Sequence, residues 1–276
     1  MQIPGILVDY VVVSEPENHW QTFDEKYDPS FSSEIKVPVE SVPNMSMGVR
    51  KIIARRAAHE LRQGDIVNLG IGMPEGVSSV VNEEGLLDQI VLTAEPGVIG
   101  GIPVGGLSFG AAINTEALID QPYQFDFYDG GGLDIAFLGM AQADSCGNVN
   151  VSKFGSKLAG AGGFINISQN AKTVVFVGTF TAGGLEISVE NDKLRIINEG
   201  KSIKFVDNEV EHVTFSGKYS RKRGQKTIYV TERCVFTLTD DGMVLTEIAP
   251  GVDLQKDILD RMGFKPIVRE PLGVMD

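Results

Sequence analysis

The chain opens on a continuous, β-branched apolar run at residues 3–13 (IPGILVDYVVV), the pattern of a strand buried on both faces. Residues 14–44 lose all periodicity and carry Pro16, Pro29, Pro38 and Pro43, as a long connection does. At residues 47–63, Ile52, Ile53, Ala57 and Leu61 recur at helical spacing, with Gly64 as a left-handed stop. A short buried strand is predicted at 65–69 (DIVNL). It is followed by the turn Gly70-Ile71-Gly72-Met73-Pro74, with Pro74 suited to the first turn of a helix, and by a second strand at 90–94. Strand, glycine turn, helix and strand in this order form a βαβ unit of a parallel sheet.

Further on, strand-like runs at 123–128 (YQFDFY), 134–144, 148–152 and 173–180 alternate with glycine-rich stretches. Residues 186–200 read as a hairpin, and residues 226–249 as paired strands turned at Asp240-Asp241-Gly242. An amphipathic helix is predicted at 253–262, before Gly263. The fold class is therefore α/β: a mostly parallel sheet flanked by helices, with a β-rich C-terminal part. Residues 1–44 read as the end strand of a preceding domain plus a linker, and residues 45–276 as the main domain.

The net charge of −13 argues against a sequence-independent hold on nucleic acid, which needs surplus Lys and Arg. No apolar window has the length of a membrane span, and the N-terminus lacks a basic leader region, so a cytoplasmic location is expected, with no membrane partner. Cys146 and Cys234, and His19, His59 and His212, have no metal-ligand spacing, and no metal site is expected. The basic run Lys218, Arg221, Lys222, Arg223 and Lys226 reads as a solvated hairpin tip, and Asp126, Asp129 and Asp134 as residues of a turn. G-I-G-M-P-E-G has the wrong spacing for a dinucleotide fingerprint.

Glu95 ends the apolar strand QIVLTA and is followed by Pro96-Gly97, so the strand stops and turns at the acid. Ligand crevices of open α/β sheets lie beyond the carboxyl ends of strands. An isolated strand-end acid can equally well only face solvent, and the surrounding residues have to decide.

Four motifs follow in order: 67–74 (VNLGIGMP), Glu95-Pro96-Gly97 with Ile99-Gly100-Gly101, 138–142 (LGMAQ), and Gly160-Ala161-Gly162-Gly163. In this the chain resembles the C-terminal half of class I coenzyme A transferases, most closely the short-chain acyl-CoA:acetate or propionate type. The resemblance implies that Glu95 is the nucleophile, carrying CoA as a glutamyl thioester in a ping-pong reaction. It also implies that Gly163, with Gly162 beside it, lends a backbone amide to an oxyanion hole, and that Gln142 and Asn148 stand near the acyl pocket. Gly72 would meet phosphate or pantetheine at the start of a helix. The implied partners are acyl-CoA, short-chain carboxylates, the N-terminal half of the enzyme and further copies of the chain. CoA would be a substrate, with no permanently bound cofactor. The alternative is a half that binds acyl-CoA or its partner but does not turn over alone.

Overall fold

Residues 3–18 and 23–275 are described by a computed structural model, in which ten strands make one sheet. The helix expected at 47–63 is shorter, α1 (Val49–Ala58), and Gly64 adopts the left-handed conformation after it. Then β1 (Ile66–Leu69), α2 (Glu75–Glu83) and β2 (Val91–Ala94) form the βαβ unit, its strands parallel. Two short antiparallel strands, β3 (Val98–Ile99) and β4 (Ala117–Leu118), extend that edge. Next, α3 (Gln121–Asp129) leads to β5 (Ile135–Gly139), which lies parallel on the other side of β1. From there α4 (Phe164–Asn170), β6 (Thr173–Val177), α5 (Gly217–Arg223) and β7 (Lys226–Val230) continue the parallel sheet outwards. The last three strands are β8 (Cys234–Thr239), β9 (Gly242–Ile248) and β10 (Ile267–Val274). Of these, β8 and β9 form antiparallel pairs, and β10 runs parallel to β9.

The parallel strands follow the order β2-β1-β5-β6-β7, so the direction of chain progress reverses between β1 and β5. Side-chain alternation gives the sheet two apolar faces. Ile135, Phe137, Val175, Val177, Ile228 and Val230 meet Ile53 and Ala57 of α1 and Val77, Val80 and Val81 of α2. Ala136, Leu138, Val174, Phe176 and Tyr229 meet Tyr128 of α3 and Phe164 and Ile167 of α4. Burial on both faces is why these strands read as unbroken apolar runs.

Several expectations are corrected. The run at 123–128 is a helix, because Pro122 stands in its first turn and Gln124 and Tyr128, four apart, both turn inward. The basic run is no hairpin tip: Lys218 to Arg223 lie on α5, capped by the Ser216 side chain at one end and by left-handed Gly224 at the other, and Lys226 opens β7. Arg223 donates to the Gln169 carbonyl at the end of α4 (2.7 Å) and Lys226 pairs with Glu60 (2.7 Å). These contacts put the run at the amino ends of the parallel strands. The helix expected at 253–262 is a wide turn, Leu254–Ile258, plus the short turn Leu259–Arg261. There Arg233 Nη1 engages the Asp257 carbonyl (2.9 Å) and draws it from a regular ladder. Residues 3–13 pair with no strand among the described residues. They form no strand but include a short helical turn at Gly5–Leu7, and Ile6 is 93% exposed and Val13 90%. His19 lies outside the described residues.

Glu232 and Arg233 are both fully buried and paired at 2.7 Å. Arg233 also binds Glu199 (2.9 Å), and the Phe180 N–H donates to Glu232 (2.8 Å). Removing one partner strands the other charge in the core. Arg233→Leu should therefore destabilise the chain by about 3–5 kcal/mol in urea unfolding followed by circular dichroism, and adding Glu232→Gln should recover part of the loss.

Candidate active site

The reversal between β1 and β5 opens a crevice at the carboxyl ends of the strands. The residues after β1 (Gly70, Ile71), after β2 (Glu95) and after β5 (Met140, Ala141) converge there. With Phe109, Val151, Phe154, the loop 159–163 and Phe164 they line a mostly apolar cavity of about 580 Å³.

Glu95 is half-buried in this cavity, at the first position of a tight turn. The Gly97 N–H closes the turn onto the Ala94 carbonyl (3.1 Å). Gly97 takes φ +117°, and a Cβ there would overlap the Ile119 carbonyl oxygen, so this turn requires glycine. Against the carboxylate stands Gly163, whose backbone amide favours its charged form. A Cβ on Gly163 would lie 2.7 Å from Glu95 Oε2 and overlap the Phe125 ring.

Burial raises the Glu95 pKa above the usual carboxylate range, and the Gly163 amide offsets only part of the effect. Among the described residues no cation pairs with it. A carboxylate with one amide donor and no counter-ion is weakly stabilised as an anion, which favours attack on an electrophilic carbonyl.

Of the residues singled out from the sequence, Glu95, Gly162 and Gly163 line the cavity together. Gly72, Gln142 and Asn148 lie outside its lining. The Gly72 N–H donates to Glu75 Oε1 (2.8 Å) in the approach to α2. Gln142 Oε1 accepts from Asn150 Nδ2 (2.7 Å), and Asn148 bridges Asp144 (2.9 Å) and the Gly217 N–H (3.0 Å). The three aspartates are structural: Asp129 accepts from Asn166 (3.0 Å) and Asn170 (3.1 Å), Asp134 from Ile66 N–H (2.9 Å) and Lys172 (2.6 Å), and Asp126 lies on α3.

Sequence reading missed a polar group buried under Glu95. Asn68 and Thr93 are directly paired on β1 and β2. Tyr128 of α3 reaches both and Gln124 bonds to Tyr128, and all four are at most 2% exposed. The available signal was one polar residue inside each of two otherwise apolar strands, IVNL and VLTA.

No protein-family model matches the chain. A caffeate CoA-transferase of Acetobacterium woodii is 50% identical to it over 282 residues, which is 100% of this chain and 53% of that protein. An acetate CoA-transferase subunit beta of Escherichia coli K12 is 31% identical over 219 residues, 75% of this chain and 89% of that subunit. The chain belongs to the class I CoA-transferases. A solved acyl-CoA transferase of Escherichia coli O157:H7, YdiF, in a thioester complex with CoA, matches with a TM-score of 0.86 at 44% identity. It covers 100% of this chain and 51% of that one. The chain thus spans about half the length of the full-length relatives and corresponds to the C-terminal half of a CoA-transferase. Among the described residues no helix is long and apolar enough to cross a membrane.

Two outcomes follow for this CoA-transferase half. With its pKa raised, Glu95 binds its proton more tightly in the folded than in the unfolded chain. Its ionisation therefore erodes stability as pH rises from the ordinary carboxylate range through the folded pKa. Glu95→Gln should melt above wild type at neutral pH, and the gap should close below the carboxylate range, as read by scanning calorimetry across pH. Gly163→Ala should cost about 1–3 kcal/mol through overlap with Phe125 and Glu95, measured by chemical denaturation.

Proposed function

We propose that this chain is the nucleophile-bearing half of an enzyme that moves CoA from a short-chain acyl-CoA to a carboxylic acid such as acetate, through a glutamyl-CoA thioester at Glu95. The observation that carries this reading is a half-buried carboxylate close to a glycine amide in an apolar cavity, with no counter-ion among the described residues. It is supported by the thioester complex with CoA of the YdiF relative and by the acetate CoA-transferase subunit of similar sequence.

A Glu95 oxygen attacks the acyl thioester carbonyl, the C–S bond breaks, and CoA leaves as thiolate, giving a mixed anhydride. The thiolate then attacks Glu95 Cδ and expels the acyl carboxylate, leaving the thioester. The acceptor carboxylate reverses both steps. No proton has to be moved, so no general base is needed. Apolar walls keep water from the anhydride. In the steps at Cδ the developing oxyanion is Glu95's own oxygen, which already faces the Gly163 N–H, so that amide needs little reorganisation. In the steps at the acyl carbon the oxyanion is on the substrate, and its donors are assigned to the N-terminal half.

The second reading, a half that binds but does not turn over alone, is favoured by the existence of a relative built from subunits, 89% of whose beta subunit is matched. In both readings the whole enzyme is an oligomer of the cytoplasm, using CoA as substrate. Incubation with acetyl-CoA, with and without an N-terminal half, followed by hydroxylamine trapping and peptide mass spectrometry, should label Glu95. Labelling only in the mixture would favour the second reading. Glu95→Ala should lose turnover by a factor of about 10⁴ or more. Turnover at the wild-type rate in Glu95→Ala would sink the mechanism.

A further inference from the structure

Gln124 sits on α3 beneath the turn that carries Glu95. Its Nε2 donates to the Ala94 carbonyl (3.2 Å) and to the Val98 carbonyl (3.2 Å), one on each side of Glu95-Pro96-Gly97. Tyr128 Oη lies 2.9 Å from the same nitrogen, so its two N–H groups are shared among three acceptors. That phenol accepts from Asn68 Nδ2 (3.1 Å) and donates to Thr93 Oγ1 (2.8 Å), which in turn donates to the Val67 carbonyl (2.8 Å). The last residues of β2, the turn and β1 are thus tied to one helix.

This arrangement is a poor one for stability alone. Asn68 Oδ1 and Gln124 Oε1 are buried with no hydrogen-bond partner among the described residues, and each such group costs about 1–3 kcal/mol. Apolar side chains of the same shape would avoid that cost. The neighbouring residue on α3, Phe125, is the one that a Cβ on Gly163 would strike. Consecutive residues of α3 therefore touch the nucleophile's turn and the seat of the amide donor.

We propose that Gln124 and Tyr128 are positioning residues, and that α3 sets the spacing between the Glu95 carboxylate and the Gly163 amide. The proposal rests on Glu95 being the nucleophile, and the following test separates the two. In the enzyme assembled with its N-terminal half, Gln124→Met keeps the length of the side chain and removes its donors. Thioester formation at Glu95, timed by rapid quench and mass spectrometry, should slow by about 10- to 100-fold. The KM for acyl-CoA should stay unchanged, the melting temperature should be unchanged or higher, and hydrogen exchange of the Gly97 amide should speed up. Tyr128→Phe should act in the same direction. Stable variants that load Glu95 at the wild-type rate would overturn the proposal, and so would loss of folding in both, which would make the network structural only. Absence of any adduct on wild-type Glu95 would instead refute the nucleophile, while Gly97 exchange would still report on the clamp.

Discussion

The site depends on the register of β1 between its two parallel neighbours. Asn68 stands opposite Thr93 of β2 on one side and Ala136 of β5 on the other. That alignment brings three strand ends to one edge of the sheet. It lets a turn after β2, a glycine after β1 and the segment after β5 face a common space. A slip of one residue in β1 would turn Asn68 away from Tyr128 and put Val67 or Leu69 in its place. The helices on each face buttress the register, because the apolar residues of β1, β5 and β6 alternate between two packed layers.

Within that frame the electrostatics of Glu95 come from what its surroundings lack. Solvent is partly removed, and the compensation is one backbone amide in place of a cation. The glycines at 97 and 163 are the steric condition for this. One allows the turn to fold back under Ile119, and the other lets the N-terminus of α4 approach the acid closely. A side chain at either position would widen the gap in which the carboxylate must be both exposed to substrate and only lightly stabilised.

Much of this was legible in the chain, for reasons that can be named. The βαβ unit and the two-sided burial of β5 and β6 follow from unbroken apolar runs, and Glu95 from a strand that must stop at Pro96-Gly97. The helix α3 was hidden because Tyr123, Phe125 and Phe127 alternate with polar residues at a period of two, while its inward pair, Gln124 and Tyr128, repeats at four. The pattern over 123–128 satisfied both templates, and the packing of Tyr128 against Asn68 and Thr93 decided between them. Motif order puts Gln142 and Asn148 near the acyl pocket; Gln142 follows Ala141 of the cavity lining, and the amides of both stitch together the loop beside Asp144, contacts that no linear spacing encodes.

Because α3 touches both Glu95's turn and the seat of Gly163, it acts as their common mount. Two components bolted to the same bench keep their separation when the bench moves. Thermal displacement of α3 shifts the acid and the amide donor alike, as a common-mode signal, and the distance between them is the difference that survives. A cavity otherwise built from loops thus has one helix behind both sides of the gap between Glu95 and Gly163.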